Sequence, residues 1–438
     1  MVPTRRLALV AVAMAAVAWW YPGELPGGLW GALGIVNGVL TVVVAADLLA
    51  AVRPASIEVV RRHPPTAVMG ESVPLGWTLR HRGSRRVRVV IADDLAPSLG
   101  AATRRAAAVL PARGTAELTT TLRPQRRGRF DLVEVAVRTT GPLGLVQRER
   151  RRDVPTVLRV HPPFRSREEA ELRIRRARIL EVGMRSARGL GGGTEFEQLR
   201  EYSPDDEFRR IDWAASARTG RPIVRTYRPE LNQSVVVLLD NGRLSAARVA
   251  GVPRLEHGMD AAIMLTAVAT RLGDKVGLVT FDQEIRSVVA PARRVDQVTR
   301  VTEAMYALEP VLAESDYRMA LRHVTTRFRR RSLFVLLTDL NEQAWLESLL
   351  PQLPRILRHH VVVVGSVTDP DVARWATQTV VDSSDAYRRA AAIAALDERR
   401  RVADRLRVMG ATVVDAPPGK LAGQLTDVYL KVKSTGRL

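Results

Sequence analysis

The chain has 438 residues, with 67 lysines and arginines against 46 acids, a formal net charge of +21 and no cysteine. The lack of cysteine excludes disulfides, thiol chemistry and thiolate metal sites, and the length leaves room for two or three domains. Only four cations are lysines (Lys275, Lys420, Lys431 and Lys433), so the arginine excess reads as composition bias; where it serves binding, the expected partner is anionic membrane lipid and not nucleic acid.

Two apolar runs open the chain, Leu7 to Tyr21 and Leu29 to Val52. The second is long enough to span a bilayer, and the first reaches that length through Val2 and Pro3. A turn-forming PGELPGG separates them, Arg5 and Arg6 precede them, and Arg53, Arg61 and Arg62 follow. By the positive-inside rule residues 1–53 form a transmembrane helical hairpin with both flanks cytoplasmic. Trp19, Trp20, Tyr21 and Trp30 then form an aromatic belt at the outer interface. A cleaved signal peptide would end in small residues, and AWWYPGELP does not. Asp47, near the cytoplasmic end of the second run, reads as an interfacial carboxylate, with a functional intramembrane acid as the alternative. The expected location is the cytoplasmic (inner) membrane, multi-pass, with the large soluble region inside.

Residues 54–163 show short alternating runs broken by Pro and Gly, the pattern of a small β-sandwich serving as spacer or interaction domain. Residues 164–232 form a linker that opens with a charged helix over 165–188. GLGGG at 189–193 follows. It lacks the flanking strand and helix of a phosphate-binding loop and reads as a hinge. No GxxxxGK[ST] motif occurs, so ATP hydrolysis by this chain is not expected.

From 233 to 438 strands and helices alternate, which predicts an α/β domain with a largely parallel sheet. Its strands are expected at 234–240, 275–281, 332–340, 361–367 and 411–416. The helices lie from Gly258 to Leu272, Val295 to Leu308 and Tyr317 to Arg330, with two more near the end of the chain. Such sheets place ligands at the carboxyl ends of their strands, and here those ends carry Asp240, Asp282 and Asp339.

The most charged stretch is EFEQLREYSPDDEFRRIDWAASAR, residues 195–218, with seven acids, four arginines and four aromatics. Asp206 and Asp212 could pair as acid and base in a hydrolase. Arg200, Arg209, Arg210 and Arg218 would depress their pKa values, where a general acid needs one raised. Ser203 and Ser216 have no histidine nearby in sequence. The better reading is a structural clamp, since arginine forks suit bidentate pairing with carboxylates. The clamp comprises Glu195, Arg200, Tyr202, Asp206, Arg209, Asp212, Trp213, Ser216, Arg218, Arg225, Tyr227 and Glu230, with an exposed acidic part that could dock a partner. The spacing of Phe196, Leu199 and Tyr202 predicts a short helix with one buried face.

The run GGTEFEQLREYSPDDEFRRIDWAASARTGRPIVRTYRPE, followed by a strand ending in aspartate, resembles the bacterial "domain of unknown function 58" family. The order of hairpin, β domain, motif and C-terminal α/β domain is similar to that family too. The resemblance implies that the α/β domain is von Willebrand factor A-like. It also implies a membrane or cell-envelope setting beside a MoxR-type AAA+ ATPase. An A-domain adhesion site holds Mg²⁺ with a DxSxS motif, a later Thr and a later Asp, all hard oxygen ligands. Here Asp240, Ser315 and Asp339 are the matching residues, while Gly242 and Leu244 replace the two serines and Ser245 stands one place late. Arg243 would compete as a cation, so the site is expected to be degenerate: no cofactor, or Mg²⁺ at most. The functional expectation is a non-enzymatic, membrane-anchored adaptor or assembly factor that engages the AAA+ ATPase or its client. The alternatives are an Mg²⁺-dependent adhesion module and, third, a hydrolase acting on envelope material.

Overall fold

The computed structural model describes residues 2–20, 28–187, 195–204, 206, 208, 211–228, 233–341, 345 and 349–435. It divides into two compact units, Met1–His161 and Pro162–Leu438.

The first unit opens with two helices, α1 (Arg5–Trp20) and α2 (Gly28–Ala50). Residues 21–27, which hold most of the expected turn and Tyr21, lie outside the described residues. Among the described residues α2 is the one helix long and apolar enough to cross a membrane, judged by length and composition. Leu9, Val12 and Val17 of α1 and Val39, Val42 and Leu49 of α2 are exposed, so in water these helices would leave a large apolar surface uncovered.

Among the described residues nine strands accompany them: β1 (Val2–Pro3), β2 (Ile57–Arg62), β3 (Thr66–Val68), β4 (Val73–His81), β5 (Val87–Asp93), β6 (Arg105–Leu110), β7 (Thr115–Leu122), β8 (Gly128–Thr140) and β9 (Val146–His161). One sheet runs β1-β9-β8-β5-β6 with β3 added on β9, and the other runs β2-β4-β7. The burial has a period of two. Val73, Leu75, Trp77 and Leu79 of β4 and Val87, Val89 and Ile91 of β5 point into one shared core.

Arg61 departs from the sequence reading. Counted above among the cations flanking the apolar run, it is buried with no exposed side-chain surface, and so is its partner Asp93. Its Nε and Nη2 donate to Asp93 at 2.9 and 2.6 Å, and Nη1 donates to the carbonyls of Leu132 and Val154 at 2.7 and 2.6 Å. The alternation of β2 forces this arrangement, because Ile57, Val59 and Arg61 share the inward face.

Asp47 is also buried, at 1% exposure. Its carboxylate accepts the backbone N–H groups of Leu143, Leu145 and Val146 at 2.7, 2.9 and 3.0 Å, in and just after the turn between β8 and β9. A Cβ at Gly141 would collide with this carboxylate, so the turn needs glycine there to close on α2. Arg148 adds a bond from its Nη2 to the Leu48 carbonyl at 2.7 Å. The acid is therefore a joint between helix and sheet. Asp47→Ala is expected to leave three donors unmet, two of them buried, a loss on the order of 3 kcal/mol locally. Hydrogen exchange at Leu143, Leu145 and Val146 should accelerate roughly a hundredfold; unchanged protection would mean that the joint is held by other contacts.

The second unit starts with α3 (Arg167–Ala187), β10 (Glu195–Glu201), α4 (Trp213–Thr219) and β11 (Ile223–Arg228). Its main sheet contains β12 (Ser234–Asp240), β15 (Lys275–Phe281), β16 (Ile285–Ala292), β17 (Leu333–Leu337), β18 (Val361–Val367) and β19 (Thr412–Ala416). Between β12 and β15 come α5 (Arg243–Ala246), a small hairpin of β13 (Arg248–Val249) and β14 (Val252–Pro253), and α6 (Arg254–Arg271). Among the described residues the other helices include α7 (Gln297–Met305), α8 (Tyr317–Arg327), α9 (Leu353–Leu357), α10 (Pro370–Thr377), α11 (Ser383–Met409) and α12 (Leu421–Ser434).

The sheet order is β16-β15-β12-β17-β18-β19, parallel except for β16. Taken in chain order the strands lie 3-2-1-4-5-6, a doubly wound arrangement with helices on both faces. In β12, Val235, Val237 and Leu239 pack with α6 and α12, while Val236 and Leu238 pack with α8 and α11. The five apolar runs read from sequence are the five parallel strands. The antiparallel edge strand β16, the β10–β11 pair and the β13–β14 hairpin were not anticipated.

Candidate functional site

Two sites in the second unit gather the residues that sequence singled out. The first lies at the carboxyl ends of β12 and β17. Asp240, the last residue of β12, is fully buried. One carboxylate oxygen accepts the Gly242 N–H at 2.9 Å and the Ser315 hydroxyl at 2.5 Å. The other accepts the hydroxyls of Tyr317 and Thr338 at 2.7 and 2.5 Å. Burial, and then the charge of Asp240, push the Tyr317 phenol well above its ordinary pKa, so it stays a neutral donor. Asp240 and Ser315 thus meet as the family resemblance implied, but Tyr317 and Thr338 complete the cradle, and sequence reading missed both. Ser245 turns instead to the backbone carbonyl of Asp240, at 2.7 Å.

Asp339 faces two guanidinium groups. Arg254, the first residue of α6, donates from Nη1 at 2.6 Å, and Arg399 of α11 donates from Nη1 to the other oxygen. Arg399 also reaches Asp415 at 2.7 Å and the Ser366 hydroxyl at 2.8 Å. Burial works against the charge on Arg399, yet Asp339 and Asp415 outweigh it and raise its pKa. Arg254 goes the other way: burial lowers it, Asp339 only partly offsets this, and Arg399 adds to the depression. The cation expected beside these acids, Arg243, pairs instead with the exposed Glu314 at 2.9 Å. At Asp282, burial opposes the charge, but Arg286 at 2.6 Å and the Glu284 N–H hold the carboxyl below its ordinary range.

These residues do not fit an open Mg²⁺ shell. Each oxygen of Asp240 already takes two donors, and Asp339 is neutralised by arginines. A Cβ at Gly242 would collide with the Ser315 hydroxyl, so a serine of the adhesion motif has no room while Ser315 bonds Asp240. Among the described residues no group of three or more His, Asp or Glu side chains is placed to hold a metal.

The second site is the charged motif. β10 replaces the expected helix, pairing antiparallel with β11 from Glu195↔Arg228 to Glu201↔Ile223, with an irregularity between Phe196 and Gln198. Strand pairing satisfies the backbone of both segments, and the three-residue spacing of Phe196, Leu199 and Tyr202 carries no helix here. Tyr202 continues the ladder, its N–H donating to the Pro222 carbonyl at 2.9 Å. Arg200 grips Asp206 with both Nη atoms at 2.8 and 2.6 Å, and Asp206 also accepts the Ser203 N–H. Asp212 caps α4 by accepting the N–H groups of Ala214 and Ala215, and Arg225 reaches it at 2.6 Å. Ser216 ties α4 to β11, accepting the Ile223 N–H at 2.8 Å. Arg218 only folds back onto the Ala214 carbonyl. Arg209 and Glu230 lie outside the described residues, as do the side chains of Glu195 and Tyr227 and the 189–193 glycine segment.

The Arg225 hydrogen bond, with help from the Ala215 N–H, holds Asp212 below the usual carboxylate range. That is the wrong direction for a general acid near neutrality. What the clamp presents outward is aromatic. Phe208 and Trp213 are 67% and 63% exposed, and their rings meet edge to face with centroids 5.6 Å apart.

Residues 198–406, which span both sites, match the family model described as "Protein of unknown function DUF58". The segment is a DUF58 region. Relatives of the chain include two uncharacterized mycobacterial proteins, Mb1516 of Mycobacterium bovis and Rv1480 of Mycobacterium tuberculosis. Each is 27% identical over 183 residues, 41% of this chain and 56% of the relative. The chain therefore spans little more than half the length of these relatives. Solved structures similar to part of the chain include the CARDB domain of PF1109 from Pyrococcus furiosus (TM-score 0.18, 12% identity, 24% of this chain and 86% of that one). Another is WR4, an MSP family member of Caenorhabditis elegans (TM-score 0.16, 11% identity, 24% and 95%). Scores this low carry no argument about either site in the DUF58 region.

Proposed function

We propose that this chain is a membrane-anchored, non-enzymatic adaptor whose DUF58 region engages a MoxR-type AAA+ ATPase or its client. The observation that carries the reading is the Phe208–Trp213 pair, held outward on a clamp whose described carboxylates already have arginine or backbone partners. Exposed, preorganised aromatics are the residues that dominate protein interfaces. The sheet order with one antiparallel edge strand, and Asp240, Ser315 and Asp339 at its carboxyl end, support an A-like domain as the scaffold. The apolar, exposed α1 and α2 support a transmembrane hairpin with both flanks cytoplasmic. Phe208→Ala/Trp213→Ala should weaken association of the full chain in nanodiscs with the purified ATPase by about thirtyfold or more. Binding that ignores the pair would move the contact elsewhere, and no binding with or without nucleotide would sink the adaptor reading. An Mg²⁺-dependent adhesion role would require the hydrogen-bond cradle of Asp240 to open. Calorimetric Mg²⁺ binding that disappears in Asp240→Asn would favour that role over ours.

A further inference from the structure

The first unit carries a charge asymmetry that the adaptor role does not use. Strand register places three turns at one end of its sheets. Arg88 pairs with Thr140, Val87 with Leu110, Arg80 with Thr115, and Ile57 with His81. The turns at 82–86, 111–114 and 141–145 therefore share this end with the start of β2. The helices attach here as well. Val2 and Pro3 pair with Gln147 and Val146, the Thr4 hydroxyl bonds the carbonyl of Gly144 at 2.7 Å, and Asp47 clasps the 141–145 turn. Together with the helix ends 4–6 and 51–56, these segments carry seven arginines and no acid: Arg5, Arg6, Arg53, Arg82, Arg85, Arg86 and Arg113. All seven are exposed. Arg82 alone pairs with a carboxylate, an exposed contact to Glu58 at 2.9 Å, among the described residues. The turns at the opposite end, 69–72, 94–104 and 123–127, are less one-sided: they carry Arg104, Arg123, Arg126 and Arg127 beside the acids Glu71 and Asp94. At the centre of the basic end the tip of the β8–β9 turn presents Leu143, 54% exposed, beside Pro142.

We infer that this end of the sandwich is a docking surface for anionic lipid headgroups, with Leu143 entering the interfacial layer and the arginines around it binding phosphates. The inference rests on the reading that α2 crosses the bilayer. A helix fixed at Asp47 to the base of a turn brings that turn, and the arginines around it, to the level where the helix leaves the hydrocarbon. Basic side chains at that level are attracted to anionic leaflets over about a Debye length, and arginine binds phosphate through its planar fork. An apolar residue ringed by cations at an interface is the composition of a membrane-surface element. The Asp47 clasp makes the docking geometry fixed instead of tethered.

Because the chain has no cysteine, single thiols can be labelled cleanly in the full-length protein. Val42→Cys, Leu143→Cys and Gln125→Cys, each carrying an environment-sensitive fluorophore, would be reconstituted in vesicles of phosphatidylcholine with or without phosphatidylglycerol. The Val42 label should be quenched by acyl-chain quenchers, and the Gln125 label, at the far end of the sheets, only by a soluble one. The Leu143 label should be quenched severalfold more by a headgroup-level lipid quencher than the Gln125 label. That difference should grow with phosphatidylglycerol and shrink in Arg82→Gln/Arg85→Gln/Arg86→Gln. If Val42 sits in the bilayer while Leu143 stays open to the soluble quencher in both lipids, the docking surface is wrong and the anchor stands. Leu143 at headgroup depth without dependence on phosphatidylglycerol would overturn the anionic-lipid assignment. If Val42 itself is aqueous, the anchor reading falls and the docking surface falls with it.

Discussion

Replacing Arg61 with alanine is expected to cost the first unit about 3–5 kcal/mol, the range for stripping one partner from a buried ion pair. The side chain serves four groups at once. The carboxylate of Asp93 takes its Nε and Nη2, and the carbonyls of Leu132 and Val154 and the Thr156 hydroxyl share Nη1 at 2.7, 2.6 and 3.0 Å. Asp93 also accepts the indole N–H of Trp77 at 2.6 Å. Removing the guanidinium leaves a charge and two carbonyls facing a core that includes Leu75, Trp77 and Ile91. Lysine should not rescue the loss, because one ammonium cannot reproduce the fork that spans these acceptors. Arg61→Lys is therefore expected to remain at least about 2 kcal/mol below wild type. Thermal unfolding of the full chain in detergent, followed by proteolysis of the β-rich unit, would measure both. A shift below about 1 kcal/mol for Arg61→Ala would show that water or neighbouring donors replace the pin.

Arg61 also shows where sequence reading ran out. In sequence it belongs to a cluster of cations after an apolar run, and the positive-inside rule counts it as such. Its inward direction follows from the alternation of β2, which becomes visible only once Ile57 and Val59 are known to face a core. Asp47 posed the same difficulty. The groups that consume its charge are the backbone N–H donors of a turn nearly a hundred residues later, and no local pattern announces them. The five parallel strands were legible because strands buried on both faces are written as uninterrupted apolar runs. The edge strand β16 was not, because Arg286 and Pro291 interrupt its pattern. β10 was misassigned because its partner β11 lies beyond α4, and long-range pairing leaves no local signature.

The carboxyl-end site was half legible. The set Asp240, Ser315 and Asp339 came from the family resemblance, and the expectation that arginine would compete with a metal came from Arg243 beside them in sequence. Which arginines do so was not readable. Arg243, the neighbour in sequence, turns to Glu314, whereas Arg254 and Arg399 arrive from helices docked on the sheet. Thr338 and Tyr317 were hidden for a related reason. One directly precedes Asp339 and the other opens α8, and their roles appear only when parallel strands bring the two loops together.

The clearest test of that site is Asp339→Ala, which removes the carboxylate between two partly buried guanidinium groups. Burial already depresses Arg254, and Arg399 deepens the depression, with Asp339 as the main opposing influence. Without that opposition the two cations would face each other across a small, partly desolvated gap. Arg399 would keep Asp415, so the strain should fall chiefly on Arg254. The expected cost is about 3–5 kcal/mol, a fall in Tm on the order of 10 °C for a unit of this size. Asp339→Ala/Arg254→Met should recover part of it, because the second change removes the unpaired charge while keeping most of the side-chain volume. Arg254→Met alone should cost less than Asp339→Ala, since Asp339 would retain Arg399. This order of stabilities, with the double variant above Asp339→Ala, is what a metal-free charge lock requires, and thermal unfolding in chelator reads it directly. If the native site depended on Mg²⁺ instead, chelator alone would lower the wild-type Tm, and Arg254→Met, by removing a competing cation, would strengthen metal binding.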